Sequence, residues 1–197
     1  MKIVLDSNII IADFWMQSPA FVILFESSKK DKIELFIPQV VVDEVLNKYN
    51  QSIESSRSDI NSKLKKFKNL TRSTISFPII ENLIKEFNIK YRSHLDEIIK
   101  NHRISIIDYP NTNHEFLARK AMLSLKPFNI NEKGYRDCLI WENIKSLVSP
   151  NDVKIPATPE VIFITNNHRD FTTDKDKDKD KLHDNLVFEL TQRKFKP

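Results

Sequence analysis

The sequence predicts an α/β fold with a mostly parallel sheet, and three observations carry that prediction. Short apolar, β-branched runs recur at wide intervals along the chain. Long stretches with helical periodicity separate them. Polar or proline-containing residues follow each run. Strands that alternate with helices in this way build a parallel sheet with helices against it.

Taken in order, Lys2 to Leu5 reads as a buried parallel strand that ends at Asp6-Ser7-Asn8. Segments 9–16 and 18–30 read as helices. Ile33 to Ile37 is the second strand, stopped by Pro38, a residue suited to the first turn of a helix. Val40 to Tyr49 supplies that helix, with Val41, Val42, Val45, Leu46 and Tyr49 on helical spacing. Ser52 to Leu70 and Pro78 to His102 read as two further helices in a polar, periodic region without strand signals. Ile104 to Ile107 is a short strand ended by Asp108-Tyr109-Pro110. Asn113 to Leu125 reads as a helix and Lys126 to Lys133 as a loop. Gly134 precedes a strong helix, Tyr135 to Val148, where it suggests a flexible hinge. A connection with Pro150, Pro156 and Pro159 leads to the last strand, Val161 to Thr165. Leu182 to Gln192 reads as the final helix, after a low-complexity, self-neutralising flexible loop at 172–181. The whole chain, 1–197, reads as a single domain.

Composition removes several functional classes. The 197 residues contain one glycine, so a dinucleotide fingerprint and a phosphate-cradling Walker loop are both absent. One cysteine, Cys138, excludes an internal disulfide framework and a multi-thiolate zinc site. With 40% hydrophobic residues the chain has the apolar mass for a core. A net charge of +4 permits a polyanionic partner without demonstrating one. No apolar run approaches the roughly 20 residues of a membrane span, and Asp6 falls where a signal peptide would be apolar. The reading is a soluble cytoplasmic protein with no membrane partner.

Four acids stand in unusual places. Asp6 ends the first strand, Glu44 lies early in the helix after the second, Asp137 opens the helix after Gly134, and Asp170 follows the last strand. Asp137 shares a helical stripe with Ile140, Trp141 and Ile144, where an acid is costly unless something pairs with it. Ligands of open parallel sheets bind at the carboxyl ends of strands, where Asp6 and Asn167 sit. Four carboxylates converging there would repel one another, and a hard divalent cation would relieve the repulsion. Each acid also has a local reading: a helix cap for Asp6 or Asp137, an exposed helix position for Glu44, a turn for Asp170. A phosphatase of the Asp-x-Asp type is disfavoured because position 8 is Asn.

Four blocks resemble the PIN-domain nucleases, in family order. Val4-Leu5-Asp6-Ser7-Asn8 is similar to their opening strand and D-[ST]-N signature. Pro38-Gln39-Val40-Val41-Val42-Asp43-Glu44-Val45 resembles the second-strand exit with the second acid. Gly134-Tyr135-Arg136-Asp137-Cys138-Leu139-Ile140-Trp141 resembles the third-acid helix, most of all that of a bacterial PIN-like subgroup with an enlarged central helical region. Phe163-Ile164-Thr165-Asn166-Asn167-His168-Arg169-Asp170-Phe171 resembles the last strand and its Thr-x-[Asp/Asn]-x-x-Asp-Phe ending.

The resemblance implies a PIN-like three-layer fold, a central mostly parallel sheet flanked by helices. It makes 50–103 a helical insertion or arm. It implies a metal-dependent endoribonuclease that uses Mg²⁺ or Mn²⁺, with Asp6, Glu44, Asp137 and Asp170 as catalytic and metal-binding acids. Asn167 stands where many members have Asp and others Asn, which leaves one ion or two open. Ser7, Asn8 and Thr165 match residues that orient the acids. A toxin or defence role, an antitoxin partner and a homo-oligomer follow by association with the family. RNA, single-stranded by preference, is the expected partner.

An acid cluster repels a polyanion unless cations compensate. Residues 57–72 carry six cations against one acid, Lys65, Lys66 and Lys68 among them. Lys133, Arg136 and Arg169 flank the acids in sequence. Such residues supply phosphate affinity and little sequence specificity. Two other functions stay open at this point: a non-catalytic RNA-binding or scaffold module, and a metal-dependent structure-specific DNA nuclease.

Overall fold

A computed structural model of the chain describes residues 1–72, 80–129, 131, 133–148, 159–173 and 181–193. Of the predicted loop 172–181, residues 174–180 lie outside the described residues, as do Pro78, Pro150 and Pro156. Four strands, β1 (Lys2–Leu5), β2 (Glu34–Pro38), β3 (Ser105–Ile107) and β4 (Val161–Ile164), form one sheet in the order β3-β2-β1-β4. Every pairing is parallel, as the alternation of strand and helix predicts. Ile3, Val4 and Leu5 of β1 are all buried, although successive side chains point to opposite faces. Both faces of the sheet are therefore covered by helices, giving the three-layer arrangement.

The strand order places a switch point beside β1. The chain moves from β1 to β2 to β3 in one direction, and β4 then returns to the other side of β1. Crossovers diverge at such a point and leave a crevice at the carboxyl ends of the strands. The register sets Leu5 against Ile164, and the Asp6 amide donates to the Ile164 carbonyl. Asp6 and Thr165 consequently emerge side by side.

α1 (Ser7–Ala12) starts immediately after β1, two residues before the helical pattern predicts, because the Asp6 side chain accepts from the Ser7 amide and caps it. α2 (Pro19–Lys29) has its proline in the first turn. α3 (Gln39–Thr71) is one helix of 33 residues where the pattern predicts two, with a break near 50. No glycine or proline lies within it, and Asn50 and Gln51 are weak breakers at most, so nothing stops the helix. Its first part buries Val40, Val41, Val42, Val45 and Tyr49, whereas the rest is largely exposed. α4 (Ile80–Asn101) packs beside it. There Tyr91 stacks on Tyr49 with ring centroids 3.9 Å apart and donates its hydroxyl to the Phe14 carbonyl.

The second half contributes α5 (His114–Met122), α6 (Tyr135–Leu147), α7 (His168–Phe171) and α8 (Asp184–Arg193). α7 is a single helical turn, fixed by Phe171, which is buried against Phe163 at 5.0 Å between ring centroids. α6 is held from two sides. At its start, Gly134 has φ +118°, and a Cβ there would meet the Pro127 carbonyl oxygen at 2.5 Å. This glycine is a close-packed fixed point and not the flexible hinge that its position in the sequence suggests. Further along, Glu189 of α8 accepts from Trp141 Nε1 at 2.8 Å and Lys145 Nζ at 3.0 Å. The same carboxylate pairs with Lys120 Nζ of α5 at 2.6 Å. Lys120 is only 2% exposed, so its charge depends on that partner. The paired ammonium groups hold the Glu189 carboxyl below its ordinary range although burial acts the other way.

Two substitutions test these supports. Gly134→Ala should cost about 1–3 kcal/mol or more and lower the thermal midpoint by roughly 3–10 °C. An unchanged melting curve would show that the loop yields. Glu189→Ala should cost about 3–5 kcal/mol because it strands the Lys120 charge, and Lys120→Met in the same chain should recover most of that loss. Equal stability of the single and double variants would disprove the dependence.

Candidate active site at the carboxyl ends of the strands

The crevice beside β1 is an open pocket of about 390 Å³ lined by Asp6, Ser7, Asn8, Ile11, Glu44, Arg136, Asp137, Asn166 and Asn167. Four elements deliver these side chains: the β1–α1 junction, the start of α3, the start of α6 and the segment after β4. Three of the four acids predicted from the sequence line one pocket although 131 positions separate Asp6 from Asp137.

Asp6 is the most constrained. It is 2% exposed. Its Oδ1 accepts from the Ser7 amide at 2.7 Å and lies 3.4 Å from the Ser7 hydroxyl. Its Oδ2 accepts from Asn8 Nδ2 at 2.6 Å and from the Thr165 hydroxyl at 2.5 Å. Asn8 in turn accepts from the Asn166 amide at 2.9 Å and donates to Thr165 Oγ1 at 3.1 Å. Ser7, Asn8 and Thr165 thus hold both carboxylate oxygens. Burial raises the Asp6 pKa, hydrogen bonds from Thr165 and Ser7 oppose that shift, and the charge of Glu44 adds to it.

Asp137 is pushed up to about 6. Burial is the largest cause, followed by the charges of Asp170 and Asp6; the Asn167 amide lowers it, and Glu44 raises it further. Asp170 does not line the pocket directly. Asn167 joins it, donating Nδ2 to Asp170 Oδ2 at 2.7 Å and to Asp137 Oδ1 at 3.2 Å. The Asn167 amide itself donates to Thr165 Oγ1 at 2.8 Å. Glu44 sits within the buried run of α3, between Val42 and Val45, its side chain 12% exposed, and forms an ion pair with the Arg136 guanidinium.

The remaining predicted residues are spread more widely. Lys133 and Arg169 are exposed and absent from the pocket lining. The Arg169 carbonyl accepts from Lys126 Nζ at 2.5 Å, which brings an unpredicted cation next to Asp170. Lys65, Lys66 and Lys68 lie on the outer part of α3, roughly 30 Å from Glu44 at the helical rise per residue, and do not line the pocket. Asn166 and Ile11 line it without having been singled out in the sequence. Asn166 contributes through a backbone amide, which leaves no signal in residue type.

Among the described residues, no three His, Cys, Asp or Glu side chains gather closely enough to form a ready metal-ligand group. The donor chemistry nonetheless fits a hard divalent cation. Every acid present offers oxygen, and carboxylate and amide oxygens suit Mg²⁺ or Mn²⁺ better than softer metals. The upward push on Asp137, from burial first and then from Asp170, Asp6 and Glu44, is one that a nearby cation would relieve. Asp6, Glu44 and Asp137 are the residues that would hold an ion, with Asn167 and Asp170 beside them.

The sign of the Asp137 shift gives a prediction. Its folded pKa lies above the ordinary value of 3.8, so the folded state holds the proton more tightly than the unfolded chain. Stability should therefore fall as the pH rises from about 4 through 6 in metal-free buffer. Asp137→Asn should melt higher than wild type at pH 8 in EDTA, and the difference should shrink below pH 6 and vanish near pH 4. A constant difference across this range would mean that the Asp137 carboxyl is not pushed up in the folded protein.

A family model described as PIN domain matches residues 3–171. That span runs from β1 to the last residue of α7 and includes every acid of the pocket. PIN domains are generally nucleases that bind nucleic acid, and those nucleases generally use Mg²⁺ or Mn²⁺. No curated protein and no solved structure matches the chain. Among the described residues no helix is long and apolar enough to cross a membrane. From the parallel sheet with its switch-point acids, and from a match over most of its length, the chain belongs to the PIN domain family.

Proposed function

We propose that this PIN domain is a metal-dependent endoribonuclease that hydrolyses phosphodiester bonds of single-stranded RNA. The observation that carries the reading is the environment of Asp137, whose carboxyl is pushed to about 6 by burial and by Asp170, Asp6 and Glu44. Perturbed acids in a cleft mark functional sites.

Asp6, Glu44 and Asp137 are the residues that would hold Mg²⁺ or Mn²⁺, with Asp170 and Asn167 completing the acidic wall. Such an ion supplies Lewis-acid activation of water and charge neutralisation at the phosphate. The chain's own groups do the rest. Ser7, Asn8 and Thr165 keep both Asp6 oxygens in place, so no reorganisation is needed when substrate arrives. Asn167 couples Asp137 to Asp170 and limits their mutual repulsion. Arg136 and Arg169, with Lys133 and Lys126, put positive charge near an approaching phosphate. Lys65, Lys66 and Lys68 would meet a strand only well beyond the scissile bond. Residues 50–103 act as a helical arm inserted in the domain. A toxin or defence role in the cytoplasm, with an antitoxin or a second copy as partner, extends this proposal on family association alone.

Labelled single-stranded RNA, duplex RNA, single-stranded DNA and branched DNA, each incubated with Mg²⁺, Mn²⁺ or EDTA, provide the test. Single-stranded RNA should be cut in the metal buffers and spared in EDTA. Thr165→Val should slow cleavage roughly 10–100-fold, the usual cost of removing support from a metal ligand, and Asp6→Asn or Asp137→Asn should cost more. Preferential cutting of branched DNA would replace RNA with DNA as substrate. Binding of RNA by folded wild type without cleavage in either metal would leave a non-catalytic RNA-binding module.

A further inference from the structure

Among the described residues, the pocket lining includes one cation, Arg136, and its position is peculiar. Arg136 lies in the first turn of α6, next to Asp137. The amino-terminal end of a helix carries positive partial charge and disfavours a cation, so Arg136 does not serve the helix. Its guanidinium reaches Glu44 of α3 across the mouth of the pocket. The two partners differ sharply in exposure: the Arg136 side chain is 55% exposed, the Glu44 side chain 12%. A pair with one partner mostly in water is more readily exchanged than one enclosed on both sides. Four carboxylates face or adjoin this space, and one guanidinium cannot balance them.

We propose that Arg136 is a placeholder for the metal: it neutralises Glu44 in the metal-free protein, is displaced when a divalent cation enters, and is then free to bind a phosphate of the nucleic acid. The inference rests on the metal-dependent reading above and adds an order of events to it. Without the ion, the pocket repels a polyanion and its nearest cation is occupied. With the ion, Glu44 has a new partner, the acidic wall is partly neutralised, and a guanidinium with five donors faces outward. Metal and nucleic acid then bind with positive coupling, and linkage requires each to strengthen the other.

Two titrations on the full chain test this. Mn²⁺ binding is followed by the loss of the free-ion paramagnetic resonance signal. Binding of a fluorescent, phosphorothioate-linked single-stranded RNA is followed by anisotropy in EDTA and in Mn²⁺. Arg136→Ala should bind Mn²⁺ about fivefold more tightly than wild type, the equivalent of releasing a pair worth about 1 kcal/mol. The same variant should bind RNA roughly fivefold more weakly than wild type in Mn²⁺ and show a clearly smaller defect in EDTA, where Arg136 is already engaged. Arg136→Lys should restore part of the RNA affinity in Mn²⁺. The RNA arm separates release of the side chain from simple repulsion between Arg136 and the ion, because repulsion alone predicts an equal RNA defect in both buffers. That equal defect, or Mn²⁺ affinity in Arg136→Ala at or below the wild-type value, would overturn the placeholder role and make Arg136 a fixed anchor for Glu44. If wild type binds no Mn²⁺, or Asp137→Asn binds it as well as wild type, the metal reading of the pocket fails, and this inference fails with it.

Discussion

A carboxylate buried at the end of an interior strand is the constraint on which the rest of this molecule depends. Asp6 follows β1 directly and is almost entirely enclosed. An acid in that position is tolerable only if every lone-pair direction is met. Ser7 and Asn8 supply donors from the same chain segment, and Thr165 supplies one from across the sheet. The last of these requires β4 to lie parallel beside β1 in one register, since a slip by one residue would turn Thr165 to the opposite face. The Asp-Ser-Asn unit, the threonine after the last strand and the strand order are thus one structural requirement.

Around that fixed acid the protein accumulates charge that it does not neutralise. Asp137 is placed where burial and three other acids oppose its ionisation. Elsewhere the chain treats buried charge differently. Glu189 meets two ammonium groups and the Trp141 indole, and its carboxyl is held below the ordinary range. The same sequence therefore contains one buried ionic network that is balanced and one that is left short of positive charge. The contrast argues that the imbalance at the pocket is maintained for binding, because the chain shows that it can satisfy such groups. Stored electrostatic cost at a cleft, offset by packing elsewhere, is how active sites are commonly sustained.

The architecture was legible because its signals are local. β1 and β4 are uninterrupted apolar runs, and the helices between them keep strong periodicity, so the parallel alternation could be read without knowing which strands touch. The four acids could be located for the same reason: each sits at or within two turns of an end of an element. What could not be read is anything set by distance in space. The Val40–Tyr49 and Ser52–Leu70 helices are continuous because Asn50 and Gln51 are too weak to break them, and the polar character of the outer half conceals that continuity. Arg136 could be placed near the acids by sequence but not paired with Glu44, which is on another helix. Asn166 acts through its amide, and Lys126 reaches the site through a carbonyl, so neither has a side-chain pattern to betray it. Gly134 shows the limit most plainly. Its sequence position suggests freedom, whereas the neighbouring Pro127 carbonyl leaves no space for any side chain.

That rigidity matters for how α6 carries its acid. Asp137 is three residues past Gly134, and the Cys138 amide donates back to the Gly134 carbonyl at 2.8 Å, so the first turn is tied to the glycine. The opposite part of the helix is tied to α8 through Trp141, Lys145 and Glu189. A helix clamped at both ends cannot rotate Asp137 away from Asp6 and Asp170 to relieve their repulsion. Among the described residues, the half-exposed Arg136 and the side-chain amide of Asn167 are groups at the pocket with room to adjust. α8 lies beyond the span matched by the family model, yet it braces the helix that bears the third acid. The carboxyl-terminal segment is therefore part of what holds the acids together, acting through packing and ion pairs roughly one to two turns along α6 from Asp137.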